Sequence, residues 1–185
     1  MKNNSEIKRK LENLGLKYLS KFETTEKQFK DYLKKKLYKF TFEIKQSEQD
    51  HLIENILIKM KNLNYVNDSR YSNMKSEQIF NNGGSMRMII AKLKQKGVSE
   101  KIVKETLETL LKSDKNELVS ALIYLKKRRI GIFYYKKINE NELNEFKKKW
   151  YATLARRGFS LEIVNKVLSI EDQFEAENII NRMKV

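Results

Sequence analysis

The side chains able to do chemistry in this sequence are mostly cations. Lysine and arginine number 39 against 24 acidic residues, a formal net charge of +15 over 185 residues. They are grouped. Arg87, Lys92, Lys94 and Lys96 follow along one stretch, and Lys147, Lys148, Lys149, Arg156 and Arg157 along another. Lys34 to Lys36 form a third group. Lys126, Lys127, Arg128 and Arg129 open KKRRIGIFYYKK, where three aromatic residues and two further lysines follow, and Arg70 stands alone in NDSRY. Fixed cations at this density attract polyanions: DNA, RNA, a nucleoprotein or an acidic protein surface.

Other chemistries are poorly supplied. Nucleophilic or acid–base catalysis needs a nucleophile, a metal or paired titratable groups in a cleft. The chain has no cysteine and one histidine, His51, set beside the apolar pair Leu52-Ile53 and read as a surface or partly buried residue. Glu105, Glu108, Glu140 and Glu142 occupy helix-surface and capping positions. Gly83-Gly84 follows a helix and lacks the GK[ST] of a phosphate loop. No catalytic residue, metal ligand or cofactor is expected. No apolar run spans a bilayer and no signal-peptide core opens the chain, so a soluble, cytoplasmic protein without membrane contact is expected.

The cations must be positioned by helices, and the helices repeat. Ala91 to Leu107 (AKLKQKGVSEKIVKETL) aligns without a gap on Ala152 to Leu168 (ATLARRGFSLEIVNKVL). Gly97 falls on Gly158, Ser99 on Ser160, and Ile102, Val103 and Leu107 on Ile163, Val164 and Leu168. A basic helix ends at a glycine free to take the left-handed conformation. A serine then caps a second helix by accepting an orphan N–H. In that helix the pairs Ile102-Val103, Thr106-Leu107 and Leu110-Leu111 keep one face apolar.

The rest of the chain reads as looser versions of the same unit. Ile7, Leu11, Leu14, Tyr18 and Phe22 share a face over residues 5 to 22. Thr25 and Gln28 suggest a capping box for a helix burying Phe29, Leu33, Leu37 and Phe40. Residues 41 to 46 read as a connector, and Ser47 as the cap of a third helix. Asn67 or Asp68 caps the next, which Gly83-Gly84 ends. Asp114 with Glu117, and Asn139 with Glu142, read as further capping pairs. Leu143, Phe146, Trp150 and Leu154 make a stripe in which Trp150 is read as packing. Proline is absent, as suits helix almost throughout. The expected fold is all-α: an elongated, curved array of three tandem three-helix repeats, as repetition implies. The repeats span 1–64, 65–112 and 113–185, the last with a linker insertion and a C-terminal helix.

Residues 85 to 111 have the outline of a helix-turn-helix, but the second helix offers Glu100, Lys101, Lys104, Glu105 and Glu108, and its copy Glu162, Asn165 and Lys166. Such faces read bases poorly. The positive charge lies on the first helix of each pair. In stacked copies these rows would form one basic ribbon for sequence-independent contact with phosphates or with an acidic groove. Its candidate residues are Arg70, Arg87, Lys92, Lys94, Lys96, Lys126, Lys127, Arg128, Arg129, Lys148, Arg156 and Arg157.

YVNDSRY, a helix, GG, a basic helix ending LKQKGVS and a repeat ending LARRGFS together resemble the RecX regulatory proteins, bacterial modulators of the RecA recombinase. KKRRIGIF resembles one branch of that family. The likeness is strongest from Tyr65 to Leu168. It implies a curved array of three-helix repeats and a non-enzymatic, cytoplasmic, monomeric protein. Such a protein would bind the groove of the RecA–DNA filament, and single- or double-stranded DNA more weakly. There it would inhibit ATP hydrolysis and strand exchange in homologous recombination, DNA repair and the SOS response. The alternative, from charge alone, is a helical module binding DNA or RNA directly without sequence preference.

Overall fold

The computed structural model describes residues 4–39, 45–112 and 116–182. Over these residues the protein is all-α, with ten α-helices, one 3-10 turn and no strand. The helices are α1 (Asn4–Leu19), α2 (Glu26–Tyr38), α3 (Gln46–Asn62), α4 (Asp68–Asn81), α5 (Met86–Gln95), α6 (Glu100–Lys112), α7 (Glu117–Arg128), α8 (Glu140–Arg156), α9 (Leu161–Leu168) and α10 (Gln173–Asn181). The 3-10 turn, Gly131–Phe133, lies between α7 and α8.

The chain forms two compact units, Met1–Ser72 with Lys94–Ile102, and Asn73–Leu93 with Val103–Val185. The first holds α1, α2 and α3 around Leu11, Phe29, Leu33, Leu37, Ile53, Ile56, Leu57 and Met60, all buried. These residues recur at helical spacing, so each helix turns one apolar stripe inward. Burying a leucine or phenylalanine this fully contributes about 1.5–3 kcal/mol. The second unit packs α7 against α9, and α8 against α9, over Leu122, Leu125, Leu154, Val164 and Val167.

The capping serines behave as their spacing predicts. Ser99 Oγ accepts from Ile102 N at 3.4 Å and Ser160 Oγ from Ile163 N at 3.3 Å. Gly97 and Gly158 have φ of +83° and +92°. Trp150 is buried. In α6, Val103, Thr106 and Leu110 are buried, but Leu111 is exposed, so the apolar stripe is narrower than the paired pattern suggests.

Several local expectations are corrected. Phe22 is 55% exposed, because α1 stops at Leu19 and leaves the stripe behind. α3 starts at Gln46 with Lys45 as its cap residue, which puts Ser47 inside the first turn. Asn139 occupies the cap position of α8 without a side-chain cap bond. Of the two candidates ahead of α4, Asn67 is the cap, its Oδ1 accepting from Arg70 N at 2.9 Å. The cap of α7 is Asn116, its Oδ1 accepting from Val119 N at 3.0 Å, so Asp114 with Glu117 is not the capping pair. Phe40, residues 41–44 of the connector and Asp114 itself lie outside the described residues.

Candidate functional site

Each unit contains a junction built to the same plan, and both junctions end on cations. In the first unit Thr25 caps α2, its Oγ1 accepting from Gln28 N at 3.2 Å. The same hydroxyl donates to the carbonyl of Lys96, 71 residues away in sequence, at 2.7 Å. The next backbone N–H, of Glu26, donates to Asp68 Oδ1 at 2.8 Å. Gly97 then closes on α2: a Cβ there would lie 2.6 Å from Lys27 Cβ and 2.3 Å from its Cδ.

The second unit repeats every part. Ser85 Oγ accepts from Met88 N at 3.1 Å and donates to the carbonyl of Arg157, 72 residues on, at 2.8 Å. Met86 N donates to Glu117 Oε1 at 2.9 Å. A Cβ on Gly158 would lie 2.8 Å from Ser85 Oγ and 3.3 Å from Arg87 Cβ. One hydroxyl thus satisfies an orphan N–H at a helix start and a carbonyl at another helix's end, two groups otherwise unpaired. A carboxylate takes a second orphan N–H, where negative charge is favoured. Only a glycine turn lets the two helix ends approach so closely.

Cations cluster around these junctions. Lys27, beside Gly97, is exposed and was not among the expected contact residues. Arg87, its counterpart beside Gly158, is exposed too. The signal for Lys27 was available: Thr25-Glu26-Lys27-Gln28 and Ser85-Met86-Arg87-Met88 share a capping hydroxyl followed two residues later by a cation.

The other expected contact residues divide by what they already hold. Arg70 is an internal brace: Nε and Nη2 bond Glu23 at 2.9 and 3.4 Å, and Nη1 donates to the Asn64 carbonyl at 2.8 Å. Arg157 is half-buried, with its guanidinium 4.8 Å from the Tyr124 ring centre and Nε donating to the Gly83 carbonyl at 3.3 Å. Lys94 pairs with Glu100 at 2.6 Å and Lys126 with Glu177 at 2.9 Å. Both carboxylates are held below their ordinary range by that lysine's hydrogen bond and charge. Lys127 Nζ donates to Asn81 O and Asn82 Oδ1 at 2.9 and 2.7 Å. Arg156 bonds only a carbonyl of its own helix, Ala152, at 3.2 Å. Among the described residues, Arg87, Lys92, Lys96, Arg128, Arg129 and Lys148 form no ion pair. All of these but Lys96 are exposed, and Lys96 is half-buried. Arg129 sits at φ +53° as the left-handed end of α7.

The carboxyl of Asp68 is pushed up from its ordinary range. Burial disfavours its charge more than the Glu26 N–H and the nearby Lys61 favour it. An open groove of about 650 Å³ lies between α1 and α3, lined by Ser5, Lys8, Ser47, Glu48, His51, Leu52 and Asn55. Among the described residues no cluster of three metal-ligating side chains occurs, and no helix is long and apolar enough to cross a membrane.

No protein-family model matches the chain. Curated relatives do. It is 29% identical over 161 residues to the regulatory protein RecX of Myxococcus xanthus, covering 85% of this chain and 83% of that one. It is 29% identical over 169 residues to the regulatory protein RecX of Streptococcus agalactiae serotype V, where it spans 89% of itself but only 58% of the relative's length. The crystal structure of RecX from Lactobacillus salivarius superposes with a TM-score of 0.61 at 23% identity, over 91% of this chain and 98% of that one. In sequence over most of its length the chain is similar to regulatory proteins named RecX, and its fold is that of the RecX crystal structure.

Proposed function

We propose that the chain is a non-catalytic, cytoplasmic regulator that binds the RecA–DNA filament as a monomer and inhibits ATP hydrolysis and strand exchange, with weaker affinity for DNA alone. Its homologues carry the name of a regulatory protein, which supports the regulatory part. The partner is argued from charge. The observation that carries the reading is the set of exposed cations on α5 and α8 without a carboxylate partner: Arg87, Lys92, Lys148 and Arg156. A filament offers a polyanion inside a protein groove, which unpaired surface cations can enter without first breaking ion pairs. We also propose that the copies 1–64, 65–112 and 113–185 are joined through the two junctions. In that scheme α2, α5 and α8 are the equivalent basic helices. Binding across neighbouring protomers then biases the filament by differential affinity alone.

The test is ATP hydrolysis by RecA filaments preformed on single-stranded DNA. Wild-type chain is expected to suppress it, and Arg87→Glu, Lys92→Glu, Lys148→Glu, Arg156→Glu combined to lose suppression at an unchanged melting temperature. Full suppression by that variant overturns the reading. The net charge of +15 favours a second reading, direct binding to nucleic acid without preference for sequence. It predicts equal affinity for naked DNA and for the filament at matched salt, and inhibition that disappears when DNA is in excess.

A further inference from the structure

The segment after α7 places aromatic rings where the proposed cation surface does not require them. Tyr134, Phe146 and Trp150 pack as a tilted cluster, Tyr134 lying 5.3 Å from Phe146 and 5.6 Å from Trp150 between centroids at interplanar angles of 44° and 54°. Trp150 is buried and Phe146 and Tyr134 half-buried, so this part is anchored. Tyr135 extends it outward: its ring is 6.1 Å from that of Tyr134, and the residue is 71% exposed. Cations border the rings. Lys149 Nζ stands 5.5 Å from the Phe146 centre, and the exposed Lys136 and Lys137 follow Tyr135 directly. The carboxylate facing Lys149 is Glu145, at 3.8 Å on the same helix, with both side chains largely in solvent.

We infer that Tyr135, backed by Tyr134 and Phe146, is a stacking platform for unpaired nucleic-acid bases, with Lys136, Lys137 and Lys149 taking the adjacent phosphates. The physical grounds are specific to this patch. A tyrosine ring left in solvent on a rigid aromatic base offers a flat face at little ordering cost. Bases stack on such faces irrespective of sequence, and flanking cations follow the backbone. In a duplex the base faces are already stacked on one another and hidden, so the occupant is a single strand. An acidic protein segment would engage the lysines but has no use for the ring.

The chain's only tryptophan, Trp150, reports on the patch. The experiment titrates the intact protein with oligo-dT, an abasic oligonucleotide of the same length, a blunt duplex and heparin, at one low salt concentration. Oligo-dT is expected to quench Trp150 emission and to bind at least roughly ten-fold more tightly than the abasic strand. Tyr135→Ala is expected to lose roughly ten-fold in oligo-dT affinity and nothing in heparin affinity, and Tyr135→Phe to restore it. Equal binding of abasic and normal strands, equal quenching by heparin or duplex, or an unaffected Tyr135→Ala overturns the inference. These readouts use no recombinase and none of Arg87, Lys92, Lys148 or Arg156, so they fail separately from the filament reading.

Discussion

The two junctions do the same job with different atoms. The first uses a threonine, an aspartate and a lysine against Gly97; the second a serine, a glutamate and an arginine against Gly158. What is kept is the role: a hydroxyl that accepts locally and donates at long range, and a carboxylate on the following N–H. What differs is burial. Asp68 is buried, whereas Glu117 is half-buried. The first unit also carries two buried hydroxyls without a hydrogen-bond partner, Thr24 Oγ1 and Ser72 Oγ. The first junction therefore has the more buried carboxylate, and the unit around it holds the unsatisfied hydroxyls.

The largest expected effect comes from the glycines. Gly97→Val and Gly158→Val each combine a left-handed backbone with a collision, against Lys27 in one and Ser85 in the other. Each is expected to lower stability by about 2–3 kcal/mol. A melting temperature equal to wild type for either would show that its junction opens freely. Next come the hydroxyls. Thr25→Ala and Ser85→Ala each lose a cap and a long-range bond, about 1–2 kcal/mol in denaturant unfolding. The exchanges Thr25→Ser and Ser85→Thr should be nearly silent, and a large loss would mean the methyl group, not the hydroxyl, sets each site.

A smaller effect of opposite sign separates the units. Ser72→Ala removes an unsatisfied buried hydroxyl and is expected to raise stability by up to about 1 kcal/mol. Destabilisation instead would reveal a partner for that hydroxyl.

The smallest effect is a pH signature of the first junction. Asp68 has its folded-state pKa raised above the ordinary 3.8, first by burial. The folded state therefore binds the proton more readily than the unfolded state, and this residue's contribution falls as pH rises through that window. Asp68→Asn removes this one titration. Its stability relative to wild type is expected to improve from acid pH upward and then level off. A flat difference across the acid range would contradict the assignment.

Much of this was legible locally. Gly97, Gly158, Ser99 and Ser160 are set by neighbours within one turn, so residue type and spacing suffice for them. The long-range half was not. Thr25 reads as a cap, but its bond to the Lys96 carbonyl involves a backbone atom 71 residues away that no side chain advertises. Asp68 and Glu117 differ in type and in distance from their helices, 42 residues against 31, which conceals their equivalence. Charge alone could not separate Arg70, held by Glu23 and two backbone carbonyls, from the unpaired Arg87. Phe22 and Ser47 failed for a plainer reason: helix ends are set by backbone geometry that periodicity does not locate.

The carboxylates at the junctions have one more consequence, for the timing of proton exchange with water. The first N–H groups of a helix have no intrahelical partner and ordinarily trade their hydrogens quickly. Those of Glu26 and Met86 are held by carboxylates instead. In deuterium oxide these two amides should lag behind other helix-start amides, and their rates then clock how often each junction opens.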